Sequence, residues 1–83
     1  MIIYAKSRRE DETPKEFLTT IRLEQVEEDD GTVYLIKMIK TDLGSDRKTE
    51  WLLGWSNHRD KAVEFAVNVP FVGGRDQVPL QKF

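Results

Sequence analysis

The sequence predicts an α+β domain: a small antiparallel β-meander of three to four strands, with one α-helix from the C-terminal half packed on one face. Three observations carry this. Val33 to Lys40 and Lys48 to Trp55 are rich in β-branched and aromatic residues, and the turn formers Asp42, Gly44, Ser45 and Asp46 lie between them. Arg59 to Val69 follows at once, with Ala62, Phe65, Ala66 and Val69 at the spacing of one helical face. At 83 residues without a cysteine, the chain is one domain, residues 1–83, with a single modest core and no disulfide.

Residues 1–12 read as a short strand, Met1 to Ala5, followed by a charged loop, Arg8 to Glu12. Thr13-Pro14-Lys15-Glu16 has the order of a capping box, with a hydroxyl, a proline suited to a first helical position and a glutamate third, and predicts one helical turn. Beyond it, Leu18, Ile21 and Gln25 share a helical face, whereas Phe17, Thr19, Ile21, Leu23 and Gln25 share a strand face. The reading taken is a strand from Thr19 to Glu27, because the β-branched run Thr19-Thr20-Ile21 loses χ1 freedom in a helix. Asp30-Gly31 then supplies a hairpin turn, since glycine accepts positive φ.

From Thr32 to Thr41, apolar side chains occupy both faces: Tyr34, Ile36 and Met38 on one, Val33, Leu35 and Ile39 on the other. That pattern predicts a central strand covered on two sides. Arg47 to Trp55 returns with Trp51, Leu53 and Trp55 on one face against Lys48, Glu50 and Leu52. Ser56 or Asn57 is placed to cap the helix, Asp60 suits its first turn, and Pro70 stops it, so the core spans 13–69. The tail, 70–83, contains Gly73-Gly74 and Pro79. It is either mobile or laid on the second sheet face through Phe71, Val72, Val78, Leu80 and Phe83, with a second protomer or a partner as the other possible cover.

Thirteen basic and fifteen acidic residues leave a net charge of -2, so the molecule as a whole carries no general attraction for a polyanion. The 39% hydrophobic and 34% charged content is that of a folded chain. The apolar start is too short for a signal peptide, and no run approaches the roughly 20 apolar residues of a membrane span. The expected setting is cytoplasmic, with no membrane partner.

Chemistry is thinly represented. His58 is the single histidine, and with no cysteine there is no second nitrogen or sulfur ligand for a transition metal. Asp29, Asp30, Asp42 and Asp46 lack the alternation of a calcium loop, and Gly73-Gly74-Arg75 lacks the strand and helix that flank a phosphate cradle. The expectation is no enzyme, no metal and no cofactor.

Two groups stand out for recognition. Glu27, Glu28, Asp29 and Asp30 form an acidic turn that can enter a basic groove built for phosphates. Trp51 and Trp55 either anchor the helix or form an aromatic contact surface. In addition, Trp51-Leu52-Leu53-Gly54-Trp55 followed by Asp60, Ala62 and Ala66 resembles the third strand and helix of plant-type AP2 DNA-binding domains and of the related amino-terminal modules of phage integrases. The resemblance spans Val33 to Val67 and implies DNA read by arginines and tryptophans on the sheet. The matching strands here carry Leu35, Lys37, Ile39, Glu50 and Leu52 instead.

The function expected from the sequence is thus a non-enzymatic protein-binding module, a regulator or inhibitor of the kind that phages and mobile elements encode as complete small acidic proteins. Its partner is another protein, including one with a basic, nucleic-acid-binding surface, and a homodimer is possible. The alternative is a nucleic-acid-binding domain that uses Arg47, Lys48 and Arg59.

Overall fold

The computed structural model describes residues 1–71 and 81–82. Four long strands, β1 (Ile2–Glu12), β2 (Lys15–Glu28), β3 (Gly31–Asp42) and β4 (Lys48–Ser56), form an antiparallel meander in chain order. Helix α1 (Arg59–Asn68) follows, and a two-residue strand, β5 (Gln81–Lys82), lies parallel to β4 at the edge.

The first strand is longer than the sequence predicts. Arg8 to Glu12 belongs to β1 and not to a loop, paired with Lys15 to Thr19. The charges are accommodated pairwise: Arg8 bridges Glu10 at 2.7 Å, Arg9 bridges Glu16, and the Ser7 and Thr20 hydroxyls meet at 2.8 Å. The first of these pairs lies along β1 and the other two join it to β2; together with the ladder they override the low strand propensity of the charged run. Nor does the capping-box order start a helix. Thr13 and Pro14 form the turn between β1 and β2 with a cis peptide between them, and β2 begins at Lys15, four residues ahead of Thr19. At the next hairpin Gly31 has φ +138°, which meets the need for a glycine there.

The core occupies the helix-bearing face. Ile21 and Leu23 of β2, Tyr34, Ile36 and Met38 of β3, and Leu53 of β4 meet Ala62 and Ala66 of α1 and Val69 just beyond it. Ile3, Tyr4, Trp51, Val63, Phe65 and Phe71 pack around them. Small residues at 62 and 66 let the helix lie close on the sheet. Its N-cap residue is His58, without a side-chain cap, while the hydroxyl of Ser56 accepts the His58 N–H at 2.9 Å and Asn57 donates its amide to the Thr32 carbonyl at 3.2 Å. The C-terminal end is held by Lys6 of β1, whose ammonium donates to the Val67 and Val69 carbonyls at 2.9 and 2.7 Å.

Of the tail residues expected on the second face of the central strand, Phe71 alone is among those described. Phe71 lies on the helix side, against Lys6 and Arg8, and the proposed cover by Val72, Val78, Leu80 and Phe83 lies outside the described residues. On the opposite face, Arg22 and Lys37 each bridge both Glu24 and Glu50. Arg22 sits on β2 and Glu50 on β4, so this bridge crosses above β3. Ile39, directly opposite Glu50 in register, is only 8% exposed. It shares that face with the ion network, whose long side chains have aliphatic stems able to shield an apolar neighbour.

Candidate functional site

The acidic residues singled out by the sequence are brought together at one end of the molecule. Glu27 and Glu28 end β2, Asp29 and Asp30 form the turn, and β3 starts at Gly31. Their situations differ. Glu27 accepts from the Gln25 amide and the Thr32 hydroxyl, both at 2.8 Å, and these bonds lower its pKa from the ordinary 4.5. Glu28, Asp29 and Asp30 are exposed and form no ion pair among the described residues. Elsewhere on the sheet, Glu10, Glu16, Glu24, Asp42 and Glu50 each face a lysine or arginine. Asp11, Asp46, Asp60 and Glu64 form no ion pair among the described residues either, so what sets the tip apart is that its three unpaired carboxylates are adjacent.

The two tryptophans do not share a face. Strand alternation puts residues 51, 53 and 55 on one side, yet β4 contains a bulge: Leu52 pairs with Lys37 and Gly54 with Ile36, which leaves Leu53 as an inserted residue. Trp51 stays opposite Met38 and packs on the core, while Trp55 falls opposite Leu35 on the other face. There the Lys82 ammonium sits 4.7 Å from its ring centre. The indole N–H of Trp51 is buried without an acceptor, so that ring acts as an apolar filler. No two-tryptophan platform exists for a partner or for stacked bases.

The basic residues of the alternative reading are also separated. Arg47 and Lys48 stand at the start of β4 and Arg59 follows its end, roughly 25–30 Å away along a strand of that length. Arg22 and Lys37, which do lie centrally on the helix-free face, are each committed to two carboxylates. No protein-family model, curated protein or solved structure matches this chain.

Opposite the acidic tip, the β1–β2 and β3–β4 turns line an open cleft that includes Asp11, Lys15, Glu16, Asp42 and Arg47. Asp42 accepts the Gly44 N–H at 2.9 Å, and this bond leads the lowering of its pKa. Glu24 is lowered too, chiefly by its hydrogen bond from Lys37. A general acid at neutral pH needs the opposite shift. His58 is exposed at the helix start, and among the described residues no group of three or more His, Cys, Asp or Glu is arranged to hold a metal. No helix among them is long and apolar enough to cross a membrane.

Two structural features escape the sequence reading. The four-charge network on the helix-free face and the Lys6 cap of α1 join residues far apart in the chain. A local signal exists only for the first: Arg22 and Glu24 at spacing two share a strand face.

Proposed function

We propose that this protein is a non-enzymatic protein-binding module, a regulator or inhibitor whose acidic hairpin tip occupies a basic groove on its target. One observation carries the reading: Glu28, Asp29 and Asp30 project side by side, without an ion pair, from the end of a paired hairpin, while Glu10, Glu16, Glu24, Asp42 and Glu50 are each matched by a cation. The long ladder behind the tip, from Phe17 opposite Asp42 to Glu28 opposite Gly31, limits the entropy lost when the carboxylates are ordered on a partner. Carboxylates presented in this way compete for sites that bind phosphates, and their attraction accelerates association in low salt.

The test uses wild-type protein and a Glu28→Ser, Asp29→Ser, Asp30→Ser variant as bait in host lysate, with and without nuclease. A stoichiometric protein retained after nuclease and lost with the variant or in high salt supports the reading. Binding kinetics of that protein unchanged by the triple replacement would sink it. Capture that disappears with nuclease transfers the function to nucleic acid and overturns the proposal.

A further inference from the structure

The outer edge of β1 carries a row of backbone groups that its own sheet does not use. Leu43 donates its N–H to the Glu16 carbonyl at 3.0 Å, so the even-numbered residues of β2 turn their backbone groups toward β3 and the odd-numbered ones toward β1. By register, Tyr4, Lys6, Arg8 and Glu10 bond to Leu23, Ile21, Thr19 and Phe17. Ala5, Ser7, Arg9 and Asp11 therefore aim their N–H and C=O groups outward, and among the described residues no strand lies beyond β1.

Such edges are commonly protected by charges scattered along them. β1 is instead divided by sign. Lys6, Arg8 and Arg9 form a basic half, and Glu10 and Asp11 open an acidic half. An antiparallel copy of the same strand reverses that order, which sets each basic half against an acidic one. Paired residues must share a sheet face, so the axis falls on a residue and not between two. Centred on Ser7, the pairing sets Lys6 against Arg8 and is repulsive. Centred on Arg9, it sets Arg8 against Glu10 of the second copy on both sides of the axis, so that the Arg8–Glu10 bridge within each chain joins its counterpart in one cluster of alternating charge, and it sets Ser7 against Asp11. The two Arg9 side chains at the axis are each already bridged to Glu16 in their own chain.

We propose that this chain self-associates through β1, two copies joining edge to edge about a two-fold axis at Arg9 to make one continuous sheet. The occupant of the edge is a second copy because the strand's own sign division complements itself. A strand-edge contact belongs to the small class of interfaces, so the dimer is weak and depends on concentration and salt.

Sedimentation equilibrium of the full chain over a hundredfold concentration range tests this. The expected result is a reversible dimer that dissociates as salt rises. Arg8→Glu turns two attractive cross-strand pairs into like-charge pairs and weakens the dimer roughly ten- to thirty-fold, whereas Arg8→Glu combined with Glu10→Arg restores it. Arg9→Pro removes the two central inter-copy donors without touching the β2 ladder, and gives a monomer with an unchanged circular dichroism spectrum. Monomer at every concentration in low salt overturns the proposal. So does a dimer indifferent to both Arg8→Glu and Arg9→Pro.

Discussion

Replacing Lys6 by methionine tests how the helix is fastened to the sheet. Methionine keeps an unbranched stem of similar bulk but removes the ammonium, which donates to the Val67 and Val69 carbonyls at 2.9 and 2.7 Å and lies 5.1 Å from the Phe71 ring centre. The helix has no basic residue in its own last turn, so this side chain from β1 is its complement to the negative end of the dipole. Water can replace the donor at the exposed Val67 bond, which leaves that loss small. The part-buried Val69 carbonyl loses a charged donor, at a cost of about 1–3 kcal/mol, and the lost contact with Phe71 adds about 0.5–1 kcal/mol. A total near 2 kcal/mol corresponds to a fall in Tm of roughly 8–16 °C for a domain of this size. Urea unfolding followed by circular dichroism measures it, with Lys61→Met at an exposed position of the same helix as control. Equal stability of the two variants, or a loss below about 0.5 kcal/mol for Lys6→Met, refutes the capping argument.

Acid stability reports the ion network on the helix-free face. Glu24 has its pKa lowered from 4.5, mainly by the hydrogen bond from Lys37, so it contributes stability above that value which is lost as pH falls through the lower folded-state value. Glu24→Gln is expected to flatten the unfolding free energy against pH on the acid side of 4.5; an acid limb identical to wild type contradicts this. Lys37, raised from 10.5 chiefly by its bond to Glu24, contributes below that pH and loses its contribution in stronger base. At Trp51, whose indole N–H is buried without an acceptor, Trp51→Phe removes no hydrogen bond and is expected to cost under about 1.5 kcal/mol by thermal unfolding. A loss above about 3 kcal/mol shows that the larger ring is tightly packed throughout.

The elements legible in the sequence are those whose period is simple. β3 carries apolar residues on both faces and was readable from Val33 to Lys40 within the observed Gly31–Asp42, and α1 was readable because Ala62, Phe65, Ala66 and Val69 recur at one spacing. β1 was hidden because Arg8 to Glu12 gain strand geometry only from partners in β2, which local propensity does not contain. Alternation puts Trp51 and Trp55 on one face, and a single inserted residue parts them: the bulge at Leu53 changes the count without leaving a mark in composition. The acidic tip was visible as a turn, but its distinction lies in what surrounds it. That Glu27 is held by Gln25 and Thr32 while Glu28, Asp29 and Asp30 are not depends on the register of two strands.

The helix backs only part of a molecule 46 Å long. Ala62, Ala66 and Val69 close over the rows of Ile21, Leu23, Ile36 and Leu53, whereas the rows of Phe17 with Asp42 and of Lys48 with Thr41 extend past the core. Backbone bonds of one continuous ladder thus differ in how much of the fold must be disrupted to break them. The ladder is expected to fray from the Thr13–Pro14 end inward, with amides there exchanging through small openings that leave the core shut. Amides beneath α1 are expected to exchange only when the whole domain unfolds, which gives one sheet two grades of permanence.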